Sequence, residues 1–247
     1  MTGTVLSPRP DLVTELTAGQ KLPLAAVGAE QLDIILETVT RVWLDLMRDQ
    51  PTSLDLDEAE INMMLAARLN NLRSSDPLWT QLVSTVARGV ESISFDGAHL
   101  ERRPDLSIFL TGRHPSFPIV VECKLIDRST SKGADLYCRN GLARFVEGQY
   151  AWANREAVMI AYVRDDSTLE AHLTPLLERS MSGNTDPWHT RELPIASPGA
   201  SLPTASSSHG RPFFYPSEIG GSTPGDIAIW HLWLRGNSPE TGDIGQE

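Results

Sequence analysis

Apolar residues recur along this chain with two different periods, and the switches between them outline its elements. Residues 29–48 place Leu32, Ile35, Leu36, Val39, Val42, Trp43 and Leu46 at three- and four-residue intervals, the stripe of an amphipathic helix. Residues 57–72 repeat the pattern with Ile61, Met64, Leu65, Leu69 and Leu72. A short strand is expected at 90–95, closed by Asp96-Gly97. From residue 105 the period becomes two. Leu106, Ile108 and Leu110 share one face, a turn with Gly112, Pro115 and Pro118 follows, and Ile-Val-Val-Glu-Cys-Lys-Leu at 119–125 returns as a buried strand. Residues 133–153 read as a helix, broken or kinked near Gly141 or Gly148, and residues 157–163 as another buried strand.

Beyond residue 163, Ser167-Thr168-Leu169-Glu170 reads as a capping box that opens a helix to about Met181. Residues 194–226, rich in Ser, Pro and Gly, read as one long loop, and residues 226–235 as a strand covered on both faces and extending the sheet. Residues 1–28, with Pro8, Pro10 and Pro23, read as partly extended, and 238–247 as a disordered tail. The expected organisation is therefore one α/β unit. Residues 1–56 form an N-terminal extension with its helix, 57–163 the core, and 164–237 a C-terminal extension of the same domain.

The hairpin carries the chemistry. Alternation puts Val120, Glu122 and Lys124 on one face of their strand, with Ile119, Val121, Cys123 and Leu125 on the other. A carboxylate and an ammonium are costly to bury in such a strand without partners. Closing the hairpin brings Asp105 beside Glu122, with Lys124 one pleat away. Two carboxylates and a lysine make a hard-oxygen site for a divalent cation, with a cationic group beside bound water. Glu58 lies three residues before Ile61 and seven before Leu65, so it projects inward, while Glu60 sits about 200° around the helix and faces solvent. Glu58 is thus a candidate third carboxylate. A negative charge in a first helical turn also complements the helix dipole.

The arrangement Arg103-Pro104-Asp105, sixteen intervening residues, then Glu122-Cys123-Lys124 resembles the PD-(D/E)XK nuclease superfamily, which includes restriction endonucleases. The order helix, three strands, helix, strand over residues 57–163 resembles that superfamily's core. The resemblance implies a restriction-endonuclease-like αβββαβ fold, a mixed central sheet flanked by helices. It implies a Mg²⁺-dependent nuclease, with Mn²⁺ able to substitute, acting on phosphodiester bonds of nucleic acid, above all DNA. Asp105, Glu122 and Lys124 would be catalytic, and Asp105, Glu122, the Cys123 backbone carbonyl and Glu58 would hold metal. By analogy such a chain serves as the nuclease subunit of a prokaryotic restriction or anti-phage defence system, with a protein partner or as a homodimer. The Gln-x-x-x-Tyr motif of several branches is absent, since Glu147-Gly148-Gln149-Tyr150 has the two residues adjacent. The competing expectations are a non-catalytic nucleic-acid- or protein-binding module on the same fold, and a structural ion-pair cluster.

Charge and composition refine this picture. The net charge is −11, which argues against a general nucleic-acid coat. Yet residues 102–155 hold nine Lys/Arg against five acids, whereas the first sixty hold four against eleven. Basic groups therefore gather around the motif, as phosphate binding requires. Arg103, Arg144, Gln149, His209 and Arg211 are the candidate nucleic-acid contacts, the last two because His and Arg two apart can bind a phosphate together. Two cysteines form no disulfide framework, the apolar runs are too short to span a bilayer, and no secretory signal is evident. A cytoplasmic protein without a membrane partner is expected.

Overall fold

The computed structural model describes residues 9–99, 101–196 and 204–236. Its helices are α1 (Pro10–Leu16), α2 (Ala29–Asp49), α3 (Glu58–Asn71), α4 (Pro77–Leu82), α5 (Ala134–Tyr137), α6 (Ala143–Val146) and α7 (Thr174–Met181). The strands are β1 (Val83–Arg88), β2 (Leu106–Leu110), β3 (Ile119–Ile126), β4 (Glu156–Val163), β5 (Thr190–Ala196), β6 (Thr204–His209) and β7 (Ile227–Arg235). They form one mixed sheet in the order β1-β2-β3-β4-β7-β6-β5. β3, β4 and β7 run parallel, and the flanking pairs are antiparallel. The fold is α/β, a seven-stranded mixed sheet flanked by helices.

Binary patterning explains the layers. The apolar stripe of α2 buries Leu32, Ile35, Leu36, Val39, Trp43 and Leu46 with Ile61, Leu65 and Leu69 of α3 against Ile119, Val121, Cys123 and Leu125 of β3. The opposite face carries Val120 and Ile126 of β3 and Met159 of β4 under Tyr137, Leu142, Phe145 and Leu177. β4 is buried at every position because helices cover both of its faces. α3 starts at a capping box. Asp57 accepts the Glu60 amide at 2.8 Å and Glu60 accepts the Asp57 amide at 3.1 Å.

Several expectations need correction. The first strand is Val83–Arg88, not 90–95. A register shift between Val83 and Thr85 puts its buried valines, Val83 and Val86, three apart, so period two fails there. Residues 90–95 are a loop between Gly89 and Gly97, both at positive φ, with one bridge from Ser92 to Arg102. The stretch 194–226 is not one loop, because β5 and β6 occupy its beginning. Thr-Ala-Ser-Ser-Ser-His in β6 has little strand character of its own and is held by six pairs with β7. Within the N-terminal region Pro10–Leu16 is helical, with Pro10 at its first position. Thr168, not Ser167, caps the last helical segment, accepting the Ala171 amide at 3.0 Å. The helix over 133–153 is interrupted by a π turn at Cys138–Leu142, which includes Gly141, and stops at Gly148. The tail 238–247 lies outside the described residues. Among those described, no helix is long and apolar enough to cross a membrane.

Candidate active site

The site forms where two antiparallel strands part. β2 pairs with β3 from Ile108 opposite Ile119 to Leu106 opposite Val121, and the ladder then ends. The next amides of β3 on that edge, from Cys123 and Leu125, lose their strand partner. Carboxylates take them over. Cys123 N–H donates to Asp105 Oδ2 at 2.8 Å, and Leu125 N–H donates to Glu58 Oε2 at 3.0 Å. Asp105 arrives from the start of β2 and Glu58 from the first turn of α3, so separate elements deliver them to one strand edge. Glu58 is partly buried and Glu60 exposed, as the helical face argument requires.

Lys124 gathers these groups. Its Nζ lies 2.8 Å from Glu122 Oε1, 3.4 Å from Glu58 Oε1 and 3.5 Å from Asp105 Oδ2, and donates to the Cys123 carbonyl at 2.6 Å. Glu122 also accepts from Arg144 Nη1 at 2.8 Å, and the same nitrogen donates to Tyr150 Oη at 3.0 Å. Gly141 of the helical layer lies against Met159, next to Glu122. A Cβ there would stand 2.4 Å from Met159 Cε and 3.5 Å from Glu122 Cγ.

Burial sets the electrostatics. Glu122 is 1 % exposed, and desolvation, reinforced by Asp105, pushes its carboxyl up to about 7 although Lys124 and Arg144 oppose this. Burial works against the Lys124 ammonium, but Glu122, Asp105 and Glu58 outweigh it and hold its pKa above the ordinary lysine value. Tyr150 is raised by burial and then by the Glu122 charge.

The donor set, three carboxylates beside a backbone carbonyl that the Lys124 ammonium now occupies, has the oxygen chemistry of a hard divalent cation's ligands. Glu122 Oε2 is buried without a hydrogen-bond partner, so one oxygen is left for a further ligand. Among the described residues no three His, Cys, Asp or Glu already form a metal cage, and the Lys124 ammonium stands between the carboxylates. The residues fit a cation by donor chemistry.

A cleft of about 860 Å³ opens over Asp105 and Glu58, with Arg88, Arg103, Lys132 and Arg164 on its walls. Lys132 makes no ion pair among the described residues. Sequence reasoning did not single out Arg88, Lys132 or Arg164, and it met Tyr150 only in the incomplete Gln-x-x-x-Tyr motif. Arg88 ends a strand whose position was misjudged, and nothing local marks the others. The basic excess at 102–155 is largely neutralised by acids, through Arg103 with Glu91, Arg113 with Glu156, Arg128 with Asp165 and Asp166, and Arg139 with Asp135.

The candidate nucleic-acid contacts separate. Arg144 reaches the carboxylates and Arg103 lies at the cleft. Gln149 donates to Glu147 at 2.6 Å, not to the cluster. His209 and Arg211 are corrected to structural positions, because both are buried. His209 Nδ1 donates to the Trp188 carbonyl at 2.9 Å, so its Nε2 must accept from Ser207. Ser207 then accepts from His231 Nε2, and His231 Nδ1 accepts from Tyr137. Arg211 donates to the carbonyls of Ala151, Trp152, Asn154, Pro224 and Gly225. Both side chains are buried and turned to interior partners, away from a surface a phosphate could reach.

Comparison with protein families, curated proteins and solved structures gives no match to this chain.

Proposed function

We propose that this chain is a metal-dependent nuclease that hydrolyses phosphodiester bonds, most naturally of DNA, on a restriction-endonuclease-like core of the PD-(D/E)XK kind. The observation that carries the reading is the convergence of Glu58, Asp105 and Glu122 within 3.5 Å of one lysine nitrogen at a parted strand edge. The order α3, β1, β2, β3, α5 with α6, then β4, with the short α4 inserted between α3 and β1, supports it, as do the oxygen donors facing an open cleft.

In this reading Asp105, Glu122, the Cys123 carbonyl and Glu58 would hold Mg²⁺ or Mn²⁺. Such a cation, when bound, supplies Lewis acidity toward a phosphate oxygen and acidifies water. The chain's own residues do the rest. Lys124, kept protonated by its carboxylate neighbours, acts as a donor that orients the attacking water and offsets charge growing on the phosphate. Arg144, with Tyr150, fixes the Glu122 carboxylate. Lys132 and Arg88, on the walls of the cleft, would meet backbone phosphates. A nuclease subunit working with a protein partner is the matching biological setting, on analogy.

The test incubates the full chain with single-stranded and duplex DNA and RNA, with and without Mg²⁺ or Mn²⁺. Cleavage that needs the cation and disappears in Asp105→Ala and Lys124→Ala is expected. No cleavage of any substrate, or wild-type rates in Lys124→Ala, would refute the reading.

One observation favours a second reading, a structural ion-pair cluster. The Lys124 ammonium already contacts all three carboxylates. On that reading apolar replacement of Asp105, Glu122 and Lys124 together leaves stability intact, because buried ion pairs are often replaceable.

A further inference from the structure

Lys124 is fully engaged where it stands. An ammonium carries three donors, and four oxygens lie within 3.5 Å of this one. They are the Cys123 carbonyl at 2.6 Å, Glu122 Oε1 at 2.8 Å, Glu58 Oε1 at 3.4 Å and Asp105 Oδ2 at 3.5 Å. No donor is left over for a water or a phosphate. The same residues supply the oxygens of the proposed Mg²⁺ or Mn²⁺ site, so ammonium and cation compete for one donor set.

The oxygens do not depend on the lysine for their placement. Asp105 is held by the Cys123 amide at 2.8 Å, Glu58 by the Leu125 amide at 3.0 Å and Glu122 by Arg144 at 2.8 Å. Glu122 Oε2, buried and without a partner, adds acceptor capacity that the ammonium does not use. Withdrawing the ammonium therefore leaves three anchored carboxylates close together. A divalent cation relieves their mutual repulsion better than a single charge does. Lys124 also has a way out. Glu58 and Asp105, both in contact with its nitrogen, line the cleft of about 860 Å³, and a four-carbon stem is flexible.

We propose that Lys124 is a built-in competitor for the cation site. Its ammonium must leave these four oxygens for a divalent cation to enter, and leaving turns it toward the cleft as a donor for substrate. The inference rests on the cation site of the nuclease reading and adds its regulation: cation loading and the readiness of Lys124 are one event. One substitution then has two opposite effects, because loss of Lys124 tightens cation binding while it abolishes cleavage.

Calorimetric titration of the full chain with Mg²⁺ and with Mn²⁺, at fixed pH and ionic strength, measures the competition without substrate. Lys124→Met keeps the bulk of the stem and should bind each cation at least about tenfold more tightly than wild type. Lys132→Met removes the same charge from the cleft wall and should change affinity by less than about threefold. A second measurement uses the wild type alone. The lysines of the chain are Lys21, Lys124 and Lys132, so carbon-13 at lysine Cε reports on each. On saturation with Mg²⁺ the Lys124 signal should shift and sharpen toward that of exposed Lys21, as a released stem gains motion.

Equal or weaker cation binding by Lys124→Met overturns the proposal, as does equal tightening in Lys132→Met. An unmoved Lys124 signal at saturating Mg²⁺ overturns it too, even where Lys124→Met fails to fold. If the wild type still cuts DNA with Mg²⁺ in those cases, the nuclease reading stands and the competition falls. Tighter binding by Lys124→Met, with no cleavage of any nucleic acid by wild type, keeps the competition and refutes hydrolysis. Binding of neither cation by either protein overturns both.

Discussion

Glu122 should make the protein less stable as pH rises toward neutrality, and Glu122→Gln should remove that dependence. The buried carboxyl is pushed from 4.5 to about 7 by desolvation, so between those values the folded protein holds a proton that the unfolded chain has released. Stability falls with rising pH wherever the folded state binds the extra proton, and the loss is complete above about 7. At about 1.4 kcal/mol per pH unit, the interval amounts to about 3 kcal/mol. Lys124 stays protonated throughout this window, since its pKa lies above the ordinary lysine value. The assay is urea unfolding, followed by fluorescence of the buried tryptophans Trp43, Trp79 and Trp233, for wild type and variant at several pH values between 4.5 and 8 at constant salt. Subtracting the two profiles cancels the titrating groups that do not interact with Glu122. The stability of Glu122→Gln relative to wild type should rise by about 3 kcal/mol across the window. Parallel profiles would refute the claim that Glu122 titrates in a desolvated site. Mg²⁺ adds a second readout. Under the proposed function it should stabilise wild type near pH 7.5 and leave Glu122→Gln much less affected.

Further predictions follow from the buried polar groups. His231 and His209 are held neutral by burial, with pKa values depressed from 6.5 to about 3 and about 4. The unfolded chain takes up protons that the folded protein rejects below pH 6.5, so together they remove about 4 kcal/mol by pH 5. Acid unfolding of a double His209→Asn, His231→Gln protein should show a shallower slope over that range, and an unchanged slope would contradict the network. Arg211→Lys should cost at least about 2 kcal/mol in denaturant unfolding, because an ammonium has three donors for five carbonyls. Loss within experimental error would mean the carbonyls find other partners. Gly148→Ala should destabilise by more than about 1 kcal/mol. Gly148 sits at φ +70° and an added Cβ would stand 2.6 Å from Phe213 and 2.8 Å from Phe95, so a wild-type melting temperature would refute the packing described.

Where the sequence could be read, the signal was local and repeated. The stripe of α2 and the alternation of β3 depend only on residues within a few positions, and the structure follows both. β1 was misplaced because its bulge breaks the period that marks a strand. β5 and β6 were missed because the evidence for them lies in their partner. Serines in β6 become strand only against the free edge of β7, and β5, with Pro194, only against the edge that β6 then presents.

The candidate site divides along the same line. Spacing alone established that Asp105, Glu122 and Lys124 belong to one hairpin, because strand alternation and a Pro- and Gly-containing turn leave little other choice. Helical phase alone turned Glu58 inward and Glu60 outward. Only tertiary structure decided that β2 leaves β3 after Val121, so that Asp105 and Glu58 cover the freed amides. Only it brought Arg144 onto Glu122 and withdrew His209 and Arg211 into the interior. Periodicity records which face a side chain takes on its own element. What that face meets depends on contacts between residues far apart in the chain, and on whether water or protein fills the space between them.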